Sequence, residues 1–276
     1  MKRIGSPRTV GLVSAAALAV VALAAAAMTP AAAWGGGHGG PKGSTASCAR
    51  TEALFCEDFE SMRPGGAATL DWGLDTRAGT LEVERAGRAG KLLHVHTEDN
   101  GMAFLKVTGF AAEDNSFWGR LRLKVDDFPT APDWAHFTLI EVTGSGSKEV
   151  VRPLGGQFAP TVGPDATFWG VGADGGPTGD WTNWRESAPT TEDRWQCVEF
   201  EWSGEDNRIS VWFDGVEQPD LEVDTTNHGG AATDFVLPQA DTVKIGWQLY
   251  QGGTTPGHFD VLMDDIALTE TRAGCP

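Results

Sequence analysis

The sequence is poor in basic residues, with 21 Lys and Arg against 38 Asp and Glu and a formal net charge of −17 at pH 7. A chain this acidic repels the phosphates of nucleic acids and of anionic lipids. We therefore expect neither a nucleic acid nor a membrane surface as partner. The sequence also lacks apolar residues at a sustained 3.6-residue spacing, which predicts few and short helices.

Long apolar runs are lacking after the N-terminus. Residues 10–28 form one such run, which follows three basic residues and precedes a small-residue segment ending at Ala33. This order is typical of a cleaved secretory signal and not of a membrane anchor. We predict a secreted, extracellular, monomeric protein. Its predicted parts are a signal peptide over 1–33, a Gly-rich flexible leader over 34–47 and a single domain over 48–276.

Cysteine is scarce, with four residues and no Cys-x-x-Cys pair, which disfavours a metal site built from these cysteines. In an exported chain, four cysteines indicate two disulfides. Cys48 and Cys56 are close enough for a local loop, which would leave Cys197 and Cys275 to join the C-terminal tail to a strand. The sequence alone allows all three pairings.

From Cys48 onward, apolar and polar residues alternate with period 2, broken by Gly, Pro, Asp and Asn. This pattern predicts an all-β sandwich or barrel, and Asp214-Gly215 is typical of a two-residue hairpin turn. A long segment rich in Gly, Pro and Trp, from about 163 to 191, is predicted to be a loop of a binding site. The predicted strands are 81–85, 92–97, 103–107, 117–125, 135–142, 194–202, 208–213, 243–251 and 259–268.

Three of these strands have a core side and a polar side, because alternate residues of a strand point to opposite faces. The polar sets are Arg120, Arg122 and Lys124; His136 and Thr138; and Lys244, Gly246, Gln248 and Tyr250. If the strands are neighbours, an acidic protein carries a locally basic groove. The alternative is an ordinary solvated face of an antiparallel sheet.

Tyrosine is the scarcest aromatic, since Tyr250 stands against 11 Trp and 13 Phe. Its presence on a polar strand face suggests that its hydroxyl is needed. Three tryptophans in the predicted long loop, Trp169, Trp181 and Trp184, offer flat surfaces on which sugar rings stack.

Six segments, in this order, resemble the core domain of the fungal cellulose-induced protein family and its actinobacterial relatives. The segments are 55–60 (FCEDFE), 136–141 (HFTLIE), 155–157 (GGQ), 194–199 (RWQCVE), 244–251 (KIGWQLYQ) and 264–266 (DDI). That family resembles glucuronan lyases and, more distantly, alginate lyases. The resemblance implies a concanavalin-like jelly-roll sandwich whose concave sheet forms a cleft, a bound calcium ion, and cleavage of uronic-acid polysaccharide by β-elimination.

Such a lyase removes the C5 proton of a uronate and expels the oxygen on C4, while donors neutralise the adjacent carboxylate. We predict His136 as the base and Tyr250 as the acid, or as both if a nearby cation lowers its pKa. Arg152, Gln157, Gln248 or His136 would neutralise the carboxylate. The predicted substrate-binding residues are Arg120, Arg122, Lys124, Lys244, Trp181 and Trp184.

Acidic residues near both ends of the predicted domain supply the hard oxygens that calcium prefers. Because terminal strands often pair in jelly rolls, we predict a structural Ca²⁺ site there, against the alternative of a solvated acidic edge. The predicted ligands are Glu57, Asp58, Glu60, Asp264 and Asp265. His94 and His96 place two imidazoles on one strand face as a competing metal site, for which the sequence offers no obvious third ligand.

Two other functions use a similar sandwich. A non-catalytic carbohydrate-binding module needs the polar face and the tryptophans but no base. A retaining glycosidase needs two carboxylates about 5 Å apart, and Glu199-Phe200-Glu201 does not match the Glu-x-Asp-x-x-Glu pattern common in such enzymes.

Overall fold

The computed structural model describes residues 48, 53–66, 72–87, 90–144, 149–174, 181–229, 234–251, 253 and 255–275, with the backbone alone for 181–187. The predicted signal peptide and leader, residues 1–33 and 34–47, lie outside the described residues. None of the helices in the described part of the chain has the length and apolar character needed to cross a bilayer.

The described chain is built from strands. They are β1 (Ala53–Glu57), β2 (Gly73–Arg85), β3 (Lys91–Thr108), β4 (Phe117–Val125), β5 (His136–Gly144), β6 (Val150–Phe158), β7 (Thr167–Asp174), β8 (Trp181–Pro189), β9 (Gln196–Ser203), β10 (Arg208–Phe213), β11 (Val216–Glu217), β12 (Ala240–Leu249) and β13 (His258–Thr269). Short 3-10 turns occur at Glu113–Asn115 and Pro219–Leu221.

Period-2 alternation located most of these strands. The predictions 117–125 and 208–213 match β4 and β10, and Asp214-Gly215 is the hairpin turn that pairs Phe213 with Val216. The predicted long loop is wrong, because 163–191 contains the paired strands β7 and β8. The glycines of this segment are typical of turns, but Gly170 and Gly172 lie within β7 and pair with β8.

A continuous antiparallel ladder runs in the order β11-β10-β9-β4-β13-β3-β12-β5-β6-β7-β8. The long β3 links two sheets: its first half, to Glu98, pairs with β13, and its second half, from Met102, pairs with β12. The partner β2 follows both halves with a register shift beside Ala78. We call the β11-to-β3 part sheet A and the β3-to-β8 part sheet B.

Apolar residues from both sheets form the core. On β4 these are Leu121, Leu123 and Val125, and on β12 they are Ile245, Trp247 and Leu249, all at most 1% exposed. The alternation predicted for these two strands is confirmed. The fold is the expected all-β jelly-roll sandwich with a concave sheet, whose outward faces carry the polar side chains.

Each disulfide joins a strand to a residue outside the strands. Cys48 bonds to Cys56 on β1, and Cys275 in the C-terminal tail bonds to Cys197 on β9. Of the three pairings that the sequence allowed, this is the one that closes a local loop and a long one.

Candidate functional site

The five predicted catalytic residues lie on or directly after three neighbouring strands of sheet B. His136 on β5 pairs in register with Gln157 on β6, and Gln248 on β12 pairs with Thr138 on β5. The main-chain N–H of Tyr250 donates to the carbonyl oxygen of His136 at 3.2 Å, which continues the β12–β5 pairing. Sheet B therefore gathers these residues in one region.

Tyr250 is the centre of a hydrogen-bonded network. Its hydroxyl donates to Oε1 of Glu141 at 3.0 Å and accepts from Oγ1 of Thr138 at 3.4 Å. Nζ of Lys244 lies 3.2 Å from Oε2 of Glu141 and 2.8 Å from Oδ2 of Asp75 on β2. Burial, reinforced by the negative charge of Glu141, raises the pKa of Tyr250 well above its ordinary value. The phenol is therefore a proton donor at neutral pH.

Arg152 completes this group, which we call the Tyr250 cluster: Tyr250, Glu141, Lys244, Asp75, Thr138 and Arg152. Its guanidinium carbon lies 5.2 Å from the centroid of the Tyr250 ring, in a cation–π contact. Arg152 is 6% exposed, and its Nε has no hydrogen-bond partner among the described residues. Because this donor is shielded from solvent, an anionic ligand could reach it only after a side-chain movement.

His136 is held by the side chain of Gln251. The Gln251 Oε1 accepts from the main-chain N–H of His136 at 2.7 Å, and its Nε2 lies 3.1 Å from Nδ1 of the imidazole. Because an amide nitrogen can only donate, Nδ1 is the acceptor, and neutral His136 carries its proton on Nε2. In this tautomer Nε2 is a hydrogen-bond donor, and the assignment of His136 as the base stays a prediction.

Glu141 reaches the cluster because alternation breaks within β5. Leu139 and Ile140 are consecutive, yet both are fully buried in the core, and the pairing with β6 shifts register at this point. The break places Glu141 on the same side as Thr138, opposite Lys244. Strict alternation from His136 would have put Ile140 there instead, so the sequence reading missed Glu141.

The predicted basic groove does not include β4. In the ladder, β13 and β3 stand between β4 and β12, so its cations belong to sheet A. Arg120 donates to the carbonyl oxygens of Asp265 and Gly274. Arg122 stacks on Trp195, with its guanidinium carbon 5.3 Å from the ring centroid. Lys124 pairs with Asp126 and Asp193. The structure thus separates these three cations from Tyr250, because they face outward from the other sheet.

The predicted sugar-stacking tryptophans differ in their outcome. Trp169 lies on β7 and is 1% exposed, with its ring 5.4 Å from that of Phe128 in the core. It therefore offers no surface to a sugar. The side chains of Trp181 and Trp184 on β8 lie outside the described residues, and their role stays a prediction.

The predicted calcium ligands lie around the β1–β13 pairing, where Glu57 is opposite Ile266. Burial, with the negative charge of Asp265 as a further cause, raises the pKa of Asp264 to about 7. Glu60 accepts from the main-chain N–H of Lys91 at 2.7 Å. Its carboxylate occupies the space above Gly90, where a Cβ would come within 1.9 Å of Oε1. Glu57 and Asp58 accept from the main-chain N–H groups of Phe59 and Glu60.

The carboxylates that a glycosidase would need are engaged by arginines. Glu199 on β9 is 1% exposed and forms a two-point pair with Arg272, and Oε2 of Glu201 lies 2.9 Å from Nη2 of Arg208. We therefore assign Glu199 and Glu201 to structural ion pairs and not to catalysis.

No protein-family model matches the sequence, and a search of curated proteins gives no match. Among solved structures, a cellulose-induced protein aligns with a TM-score of 0.54 and 19% identity, over 80% of this chain and all of that chain. The shared feature is the fold. A sialidase aligns with a TM-score of 0.48 and 14% identity over 79% of this chain and 19% of its own. A carbohydrate esterase from a Shiga toxin-encoding bacteriophage aligns with a TM-score of 0.47 and 15% identity over 78% and 97%.

Proposed function

We propose that the Tyr250 cluster binds a uronic-acid-containing polysaccharide of the glucuronan type and cleaves it by β-elimination. The observation that carries the proposal is the buried Tyr250 phenol hydrogen-bonded to Glu141, with the guanidinium of Arg152 over its ring. A uronate carboxylate that binds the guanidinium would place the sugar next to the phenol, and a small side-chain movement would let it reach the buried Nε, which has no acceptor among the described residues. The 19% likeness to a cellulose-induced protein supports the fold that such an enzyme would use.

The proposed roles follow from what each group donates or accepts. Arg152 and the Nε2–H of His136 would neutralise the substrate carboxylate, which makes the C5 proton more acidic. Gln157 and Gln248, on the strands that flank His136, would add hydrogen bonds to the sugar. Lys244 is paired with Glu141 and Asp75, so we assign it to positioning Glu141 rather than to the substrate.

Tyr250 would move the proton with Glu141 as its partner. As the phenol oxygen takes the proton from C5, its own proton passes to Glu141 across the 3.0 Å hydrogen bond. The C4–O4 bond breaks, the C4=C5 double bond forms, and the departing oxygen takes a proton from the phenol. Glu141 then returns its proton to Tyr250, so the enzyme ends as it began. A phenol with a raised pKa needs this partner, because it does not ionise unaided.

The test is to incubate the chain with glucuronan and with alginate and to follow the ultraviolet absorbance of the unsaturated uronate product. Tyr250→Phe removes only the hydroxyl, and we expect it to lower the rate by about 10²–10⁴-fold, the range for general acid–base groups. Arg194→Gln is the matched surface control, since Arg194 is 61% exposed and pairs with Asp214. Circular dichroism checks that each variant folds.

The same experiment distinguishes the alternative function, a non-catalytic carbohydrate-binding module. The donor tautomer of His136 favours that reading, because a binding site needs donors but no base. Saturable binding of a polyuronate by calorimetry, without any unsaturated product, would replace the lyase proposal by the binding module. Product formation that persists in Tyr250→Phe would remove Tyr250 from the mechanism.

We also propose a structural calcium ion held by Glu60, Asp264 and Asp265. Hard carboxylate oxygens fit the ion. Burial is the main cause of the raised pKa of Asp264, with the charge of Asp265 as a further cause, and a bound cation would favour the charged carboxylate. Among the described residues the three carboxylates do not lie within 4.8 Å of one another, so the ion would have to draw them together. We expect Ca²⁺ to raise the thermal midpoint of the chain and Asp264→Asn to abolish that rise. Asp165→Asn, in an exposed turn, is the control. An unchanged calcium response in Asp264→Asn would refute the assignment.

The proposed setting is extracellular. The two disulfides are compatible with an oxidising compartment, as the predicted signal peptide requires. A secreted lyase of this kind would meet its polymer outside the cell.

A further inference from the structure

A second group of side chains lies on the outward face of sheet A, away from the Tyr250 cluster. His94 and His96 on β3 alternate with the core residues Leu93 and Val95. The pairing of β3 with β13 places Asp260 directly opposite His96. The strand pairing thus supplies the third ligand that was not evident in the sequence, from a residue far along the chain.

We propose that His94, His96 and Asp260 bind a divalent transition ion of the zinc class. Nε2 of His94 lies 2.6 Å and Nδ1 of His96 lies 2.8 Å from the same Oδ1 of Asp260. One ligand atom from each of the three residues lies within 4.8 Å of the others, and among the described residues this is the only such group of His, Cys, Asp and Glu. Two imidazole nitrogens and one carboxylate oxygen suit zinc and its neighbours better than calcium.

The other ring nitrogens are arranged as they are in metal sites. Nδ1 of His94 lies 2.7 Å from Oε1 of Glu84, and Nε2 of His96 lies 3.2 Å from Oε1 of Glu98. Metal-binding histidines usually donate their second N–H to a carboxylate, which fixes the ring and its tautomer. Both rings therefore present their remaining nitrogen to one shared point beside Asp260.

The hydrogen bonds of the two imidazoles show what an ion would replace. Each imidazole has a carboxylate at both nitrogens, and a carboxylate accepts but does not donate, so both rings are protonated in this arrangement. A bound ion would take the place of the two protons that point at Asp260 and keep the bonds to Glu84 and Glu98. The side chains of His94, His96 and Asp260 are 25%, 31% and 23% exposed, which leaves a coordination position for water or another small ligand.

Two nearby groups are separate from this site. His258 is 58% exposed, and its Nε2 lies 4.0 Å from the far oxygen Oδ2 of Asp260, so we do not count it among the ligands. Asp264, in the proposed calcium site, stands four residues further along β13, about 13 Å at 3.3 Å per residue. The two proposed ions would therefore bind independently.

The test uses the full chain without an affinity tag, in excess Ca²⁺ so that oxygen-rich sites are filled. Addition of Co²⁺ should produce the visible absorption bands of a low-coordinate cobalt site, saturating at one ion per chain, and Zn²⁺ should displace them. Asp260→Asn and His96→Gln should lose the bands. Glu84→Gln, which keeps all three ligands, should weaken binding by about 10- to 100-fold. Circular dichroism confirms that each variant is folded.

His258→Gln is the matched control, because it removes a neighbouring imidazole from the same strand and should leave the bands and the affinity unchanged. Absence of cobalt bands in the unmodified chain would overturn the proposal. Bands that survive in His96→Gln would show that His96 is not a ligand, and bands that disappear in His258→Gln would show that His258 is one. Either result would overturn the proposed ligand set. Polyuronate cleavage is not part of this readout, so neither result depends on the proposed lyase activity.

Discussion

A buried guanidinium with an unused donor is uncommon in a folded protein, because the hydrogen bond to water that it gives up is not replaced. The guanidinium carbon of Arg152 lies over the Tyr250 ring, yet Nε has no acceptor in the described chain. Nε of Arg208 is buried without an acceptor in the same way, so what distinguishes Arg152 is the position of its guanidinium over the Tyr250 ring. A planar carboxylate is the group that the fork-shaped guanidinium binds best.

Arg152→Lys tests this at the scale of one residue, since it keeps the charge and removes the planar donor. We expect the affinity for uronate oligosaccharides to fall by about 10- to 100-fold, in line with the loss of a hydrogen bond to a charged group. Calorimetric titration of the variant, with Arg194→Lys as the control and thermal unfolding as the check on stability, measures the effect. An equal loss of affinity for a neutral glucan would contradict a carboxylate contact.

Strand alternation was sufficient to predict which side of β12 carries Lys244, Gln248 and Tyr250, because the period of a strand is fixed by its backbone. It gave no sign of Glu141 or Asp75, which meet Lys244 only through strand pairing. Register between strands that are far apart in sequence depends on the whole sheet. For the same reason, the sequence did not predict that Asp260 lies beside His94 and His96, which depends on the pairing of β3 with β13.

At the scale of the element, local breaks in regular strands build the site. The consecutive core residues Leu139 and Ile140 turn Glu141 toward Tyr250. Because β3 passes from one sheet to the other, His94 and Asp75 lie on different sheets. His94 is on the first half of β3, in sheet A, whereas Asp75 is on β2 opposite the second half of β3, in sheet B. A sequence pattern predicts that strands exist, but it does not predict where a strand bulges or changes sheet.

Gly246 is the position on β12 where this packing is tightest. A Cβ there would come within 2.1 Å of the carbonyl oxygen of Ala103 and 2.9 Å of the Cα of Phe104, both main-chain atoms of β3. Gly246→Ala should therefore lower the free energy of unfolding by about 1–3 kcal/mol, as for other overpacked sites. Urea unfolding measures it. Gly73→Ala is the control, since the nearest atom to a Cβ there is 3.7 Å away, and equal destabilisation by both substitutions would contradict the argument.

At the scale of the whole molecule, the C-terminal tail is fastened to sheet A. Cys275 is joined to Cys197, and Arg272 pairs with Glu199 through Nε at 3.1 Å and Nη2 at 2.8 Å. The Arg272 guanidinium also lies 4.7 Å from the ring centroid of Trp212. A buried carboxylate such as Glu199 needs a partner of this kind. The tail is thereby held on sheet A, whereas the Tyr250 cluster lies on sheet B.

The net charge of −17 sets how a polyuronate would approach that cluster. Within the cluster the charges of Arg152 and Lys244 are balanced by Glu141 and Asp75, so the long-range field of the protein is repulsive to a polyanion. Salt shortens the reach of this field, from about 30 Å at 0.01 M to about 10 Å at 0.1 M. We therefore expect the association rate with glucuronan to rise, on the order of 10-fold, over that range of NaCl. Stopped-flow measurement with a neutral glucan as control tests it, and a rate that falls steadily from the lowest salt would mean that a basic surface, not Arg152 alone, recruits the polymer.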